Sequence, residues 1–293
     1  MFLLFLQFLV NGLMVGGVYA LIALGIVLIY KSTRVFNFAV GELVVLGGFA
    51  CWSLIAWCHL PVYLSIPLAM VIAIGMGFLM ERLALRPLIG QPILAAIMAT
   101  LALSLLLRGI MLFFWGASTI AFPTQILPGE PVSVGHLAFS HELLWAFGVS
   151  MVVFIALTVF FRKTKMGLFM RATAESHQIA QATGINVRVI FGTTWGIAAL
   201  VAALGGILVG ARLGLGIGST PLVAFKAFPA VIFGGLESVA GAIIGGLLVG
   251  ILENLAGGFI DPKIAEITPY IILLLVLIFK PEGLFGLKRI ERI

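Results

Sequence analysis

Apolar runs fill most of the chain, and the polar residues gather between them. The runs cover about Phe5 to Tyr30, Leu43 to Trp57, Val62 to Met80, Ile93 to Trp115, Leu143 to Phe161, Val189 to Gly210, Val239 to Leu255 and Ile264 to Phe279. A helix needs ~20 residues to cross ~30 Å of hydrocarbon, so these runs predict membrane-spanning helices. Leu222 to Phe233 is too short to cross alone, which predicts a broken helix or a re-entrant piece. Arg86-Pro87 and Gln91-Pro92 predict that the third span stops at Glu81-Arg82, because a residue before proline avoids the helical region. The expected fold is an all-α polytopic membrane protein with about eight or nine transmembrane helices, some of them broken. One transmembrane domain is expected over residues 1–293. Residues 1–115 form its first helical half, 116–140 an outer loop, 162–188 a polar segment, and 189–293 the second half and tail.

Composition agrees with the pattern. The 293 residues are 62% hydrophobic and 10% charged, where a soluble domain carries about 25% charged residues. The formal charge of +6 calls for no nucleic acid, because Lys and Arg collect in a few loops as they do on cytoplasmic flanks. The loop Gly116 to Ser140 holds no Lys or Arg, whereas the polar segment holds Arg162, Lys163, Lys165, Arg171 and Arg188. That places the segment in the cytoplasm and the loop outside. Threading from there puts the N-terminus outside. If Leu222 to Phe233 crosses, the tail with Lys280, Lys288, Arg289 and Arg292 lies inside. Met1 to Phe5 has no basic flank or cleavage site and reads as the start of a span.

The halves echo one another. The first span is followed by a polar break, Val35 to Glu42, and by Gly47-Gly48; the span ending at Gly210 is followed by a break, Ile217 to Lys226, and by Gly234-Gly235. The two stretches run in opposite directions, which makes them candidates for an inverted repeat, where broken helices meet near a substrate path. Candidate path residues at these breaks are Asn37, Phe38, Gly41, Glu42, Lys226 and Phe228. Gly12-xxx-Gly16, Gly206-xxx-Gly210, Gly241-xxx-Gly245 and Gly246-xxx-Gly250 would allow close helix contact.

Candidate chemistry is sparse. The chain has no G-x-x-x-x-G-K-[ST] phosphate loop, no His-Glu-x-x-His, no Cys-x-x-Cys and no Gly-x-Ser-x-Gly, so no enzyme and no resident cofactor are expected. Cys51 and Cys58 read as buried hydrophobes, and His59, His136 and His141 as solvated loop groups. Ionisable residues inside spans are the default functional candidates. Arg108 reads as reaching the outer interface and Glu253 as a buried, hydrogen-bonded structural group. In the polar segment, Arg171 to Thr183 predicts one short helix closed by Gly184. Ala172, Ile179 and Ala182 approximate one face, which could lie in the groove of a soluble partner.

One resemblance runs nearly end to end. It rests on Asn11-Gly12-Leu13 with Tyr19-Ala20-Leu21, Tyr30-Lys31, Asn37-Phe38-Ala39-x-Gly41-Glu42, and Glu81-Arg82 with Arg86-Pro87-Leu88. It continues through Gly167, Arg171-Ala172, Gly184-Ile185-Asn186, Lys226-Ala227-Phe228, Gly234-Gly235-Leu236, Gly241-Ala242 and Pro281-x-Gly283-Leu284-x-Gly286. In this order the residues resemble the permeases of branched-chain amino acid ABC transporters, in particular the LivH-type subunit. The resemblance implies a multi-pass protein of the bacterial inner membrane that moves branched-chain or similar amino acids inward by alternating access. It implies a second homologous permease, a periplasmic binding protein, and two ATPase subunits that bind ATP and Mg²⁺. It implies a coupling helix at the polar segment, with Gly167, Arg171, Ala172, Thr173, Ala174, Glu175, Gln178, Gly184 and Asn186 as the coupling residues. His59 to Pro61 and His177 depart from the pattern. Urea, amides or another small solute stay open as substrates. An ion-gradient-driven transporter also stays open, and would need Glu42 or Glu253 to titrate.

Overall fold

The computed structural model describes residues 1–88, 91–134 and 137–286. His136, Lys288, Arg289 and Arg292 lie outside the described residues. The chain opens with α1 (Phe2–Thr33), α2 (Val40–Ala56) and α3 (Val62–Met80), then α4 (Ile93–Trp115) and a small hairpin of β1 (Val132–Val134) and β2 (Leu137–Phe139). It continues with α5 (His141–Lys163), α6 (Lys165–Glu175), α7 (His177–Ala182), α8 (Val187–Leu213), α9 (Thr220–Phe225), α10 (Ala227–Gly234), α11 (Val239–Phe259) and α12 (Pro262–Phe279). Among the described residues, seven helical stretches are long and apolar enough to cross a membrane; α2 and the α9–α10 stretch are apolar but shorter.

The architecture is a helical bundle around two buried helices. α1 and α8 form the centre, and α3, α4, α5 and α12 face outward. Polar order within the bundle follows from chain direction. α5 runs from the loop at 116–140 to the polar insert, so those two features occupy opposite ends. α1 starts at the loop end and finishes against the insert, where the His177 ring meets the Ser32 carbonyl. The segment after α12 returns to the insert end, since Leu284 N–H donates to Phe233 O at 2.8 Å and Glu237, just beyond α10, pairs with Arg34. The α9–α10 stretch runs between the ends, from the Ile120–Leu215 bridge to Glu237.

Glycine makes the centre possible. Gly12 and Gly16 of α1 lie on Gly250 and Gly246 of α11: a Cβ at Gly16 would stand 2.7 Å from Gly246 O and 2.8 Å from Leu247 Cα. Gly206 abuts Val44 of α2, and Gly245 abuts the Ala230 carbonyl of α10. All four small-xxx-small motifs therefore sit at helix contacts, where close backbone approach replaces the hydrophobic drive that lipid cannot supply.

The third span does not stop at Glu81. It continues as a π-turn over Glu81–Leu85 and a 3₁₀ turn over Arg86–Leu88. Glu81 is fully buried, and Arg86 grips it with Nη2–Oε2 at 2.7 Å and Nε–Oε1 at 3.1 Å. This fork satisfies a carboxylate that would otherwise be too costly to bury, and it holds the wide turn together before Pro87. At the loop end, Trp115 stacks on Phe49 and Trp57, and the Trp145 indole donates to Pro128 O at 2.8 Å. Such aromatic belts mark an apolar–water boundary.

Candidate functional site

The polar segment folds as two helices, not one. Thr164 caps α6 by accepting the Gly167 N–H at 3.0 Å, and Ser176 caps α7 by accepting the Ile179 N–H at 3.3 Å. Ser176 is extended (φ −155°, ψ 117°), which breaks the helix expected over Arg171 to Thr183. A serine hydroxyl competes for backbone N–H groups and favours a helix start. Gly184 does close the pair, with φ +86°, a left-handed conformation that glycine adopts at little cost. Asn186 then caps α8, accepting from Val189 N–H.

The coupling candidates divide by face. Gly167 and Thr173 are buried. A Cβ at Gly167 would meet Phe160 O at 2.6 Å, so this glycine lets α6 fold back tightly on α5. Arg171 donates to the Phe161 carbonyl, and the Ala174 carbonyl accepts from Arg34 at 3.4 Å. Glu175, Gln178 and Gly184 are exposed, as are Leu168, Phe169 and Ile179, the last at 67%. Ala172 is half-buried, and the α7 residue turned into the bundle is Ala180 rather than Ile179 or Ala182. His177 was marked only as a departure in the sequence. Its Nε2 lies 2.8 Å from Ser32 O, and its ring stands edge-on to Phe191 at 5.3 Å. The helix pair is thus pinned to the end of α1 and the start of α8.

The two breaks meet. Gly41 faces Pro221 at the start of α9, where a Cβ added at Gly41 would stand 3.1 Å from Pro221 Cβ. Phe38 stacks on Phe228 at 5.9 Å, and Phe36 and Phe225 extend the cluster at 6.4 Å and 5.8 Å from Phe228. Asn37 is buried and turns the chain by accepting the Ala39 N–H at 3.0 Å, while its Nδ2 has no partner among the described residues. The break is shorter than expected, because Glu42 lies within the first turn of α2, buried, with Oε2 unpartnered among the described residues. A carboxylate there also opposes the positive end of the helix dipole.

Lys226 does not join this group. It turns the other way and pairs with Glu253 of α11, Nζ to Oε1 at 2.6 Å, with side chains 18% and 9% exposed. Glu253 therefore has the buried, hydrogen-bonded place expected of it, and the pair ties the α9–α10 junction to α11. Arg108 is exposed on α4. His141 is not solvated: it is largely buried against Gln125 and Glu142, with Nδ1 unpartnered among the described residues. Cys51 is buried but Cys58 is exposed. Among the described residues no cluster of His, Cys, Asp and Glu could hold a metal ion.

Comparison with known proteins identifies the family. The family described as the branched-chain amino acid transport system, permease component, matches residues 8–279. The high-affinity branched-chain amino acid transport system permease protein BraD of Pseudomonas aeruginosa is 33% identical, with 99% of this chain and 98% of that protein covered. The permease protein LivH of Escherichia coli K12 is 32% identical over 100% of this chain and 99% of its own. Among solved structures, PsaBC from Streptococcus pneumoniae in complex with Fab shares the fold at TM-score 0.50 and 13% identity, over 95% of this chain and 92% of that one. With a match across nearly its whole length, the chain belongs to the family of permease components of branched-chain amino acid transport systems.

Proposed function

We propose that the chain is one permease subunit of an ATP-binding cassette importer in the bacterial inner membrane. It carries branched-chain amino acids from periplasm to cytoplasm by alternating access. A second homologous permease, two ATPase subunits that bind ATP and Mg²⁺, and a periplasmic binding protein complete the machine. The insert end faces the cytoplasm, as its basic residues favour.

The observation that carries the reading is the α6–α7 pair. It exposes Leu168, Phe169, Ile179, Glu175 and Gln178 outward, while its inner face is fixed to α1 and α8 by His177 and to α5 by Gly167. A surface of that kind passes a push from a soluble partner to buried helices. α1 then leads straight into Phe36, Asn37 and Phe38, the aromatic closure that joins the two breaks. The test is a crosslink from a cysteine at Gln178, with Cys51 and Cys58 replaced, in membranes containing the neighbouring ATPases. An adduct to an ATPase that responds to ATP is expected. A cysteine that labels freely but never crosslinks, with uptake surviving ATP depletion, would move an ion-gradient mechanism using the buried Glu42 to the front.

A further inference from the structure

A cavity of about 510 Å³ lies at the loop end of the bundle, on the far side of the α9–α10 stretch from the aromatic cluster. α1, α5, α8, α11 and α12 enclose it. Its size falls within the ~300–1,000 Å³ of small-molecule sites. The walls are mostly apolar, with Val15, Val18 and Leu208 among them, yet four charged side chains reach it: Glu142, Arg212, Lys226 and Glu253. Lys226 and one oxygen of Glu253 neutralise each other. The other oxygen, Oε2, is buried and has no partner in hydrogen-bond geometry among the described residues; the Tyr19 hydroxyl faces the same carboxylate from the cavity wall, and a carboxylate that accepts on one oxygen alone pays a desolvation penalty on the other. Arg212 has no ion-pair partner among the described residues. Glu142 and Arg212 also line a second cavity of about 510 Å³ beneath the loop, with Pro123 and Gln125, so they stand at a threshold between the loop and the interior.

From this arrangement we infer a binding site for a zwitterion with an apolar body. The Glu253 Oε2 and Glu142 carboxylates accept from a primary ammonium group. The Arg212 guanidinium forks onto the anionic group, as arginine does with carboxylate or phosphate. The apolar walls take the rest. Two sources carry this chemistry: a free aliphatic amino acid entering beneath the loop, or the headgroup of an aminophospholipid entering between helices. The amino acid source rests on the import reading, and binding to the chain rather than uptake is the readout, so the site can fail while import by the assembled transporter stands.

The experiment uses the full chain in nanodiscs of phosphatidylcholine or phosphatidylethanolamine. A quaternary ammonium has no N–H to donate, so phosphatidylcholine cannot satisfy Glu253. Radiolabelled leucine is bound in phosphatidylcholine discs and competed with leucinamide and 4-methylpentanoate, each lacking one charge. Native mass spectrometry counts retained phosphatidylethanolamine. An amino acid site binds leucine at least about tenfold more tightly than either competitor, and Arg212→Gln weakens leucine by about tenfold or more, the worth of a charged hydrogen bond. A lipid site retains phosphatidylethanolamine in an Arg212-dependent way and ignores leucine. Arg212 is exposed, so its replacement leaves folding intact. The double variant Lys226→Met/Glu253→Gln replaces the anionic acceptor with a neutral amide without stranding a charge, and should weaken ammonium binding by about tenfold or more while Glu142 remains. Binding of neither ligand, or binding that is unchanged in both variants, overturns the inference.

Discussion

Gly16→Ala probes the α1–α11 contact directly. The new methyl would stand 2.7 Å from a carbonyl oxygen and 2.8 Å from a Cα, both belonging to α11. Carbon atoms settle at ~3.5–4.0 Å, so α11 must retreat by about 0.7 Å. The obstacle is main chain, and no rotamer change relieves it. Gly12 and Gly250, one turn along the same seam, lose contact as the helices part. Overpacking of this kind costs about 1–3 kcal/mol. Alanine also gains ~0.8–1 kcal/mol of helix propensity, which blurs a single measurement. Gly109 of α4 and Gly148 of α5 remove that ambiguity, since a Cβ at either meets nothing within 4 Å. The propensity gain cancels between chemically identical changes. Gly16→Ala should therefore unfold about 1–3 kcal/mol more easily than Gly109→Ala or Gly148→Ala when the purified chain is titrated with SDS in mixed micelles and followed by tryptophan fluorescence. Equal shifts for the three variants would refute the backbone-to-backbone seam.

Two further outcomes can be measured. Removing one member of the Lys226–Glu253 pair, by Lys226→Met or Glu253→Gln, should cost about 3–5 kcal/mol by the same titration, because it leaves an uncompensated buried charge; the double variant should recover most of that loss. His177→Ala should lower uptake by the assembled transporter while ATP hydrolysis continues, because α7 loses its bond to the Ser32 carbonyl. His177→Gln, which still offers a donor to that acceptor, should retain more uptake; equal loss in both variants would contradict the pinning role.

The spans were legible because apolar length is a strong signal: Ile93 to Trp115 matches α4 to the residue, and the third span starts at Val62 as expected, although its helical turns run on to Leu88. Which helices occupy the centre was not legible, because the buried α1 and the outward-facing α4 are almost equally apolar. Lipid and protein interior ask the same of a side chain. The glycine spacing held more information, since every motif marked a contact. Ser176 carried a readable signal for a helix start, and the long run of helix formers around it concealed the break. The separation of Lys226 from Phe228 could not be read at all. They are two residues apart, and the α9–α10 junction turns one toward α11 and the other toward Phe38. Glu81 was missed for a similar reason: its partner Arg86 lies across a π-turn whose wide spacing no helical periodicity predicts.

The burial of α1 also bears on how the protein is made. Its neighbours in the bundle centre are α8 and α11, and these leave the ribosome more than a hundred residues later. Until they arrive, the glycine seam at Gly12 and Gly16 faces lipid or a helper protein. The nascent chain spends most of its synthesis with its future axis unsheathed. Quality control that recognises loosely packed helices would find this protein most vulnerable before α11 inserts, and a chain cut short after α5 would carry a central helix with no centre to occupy.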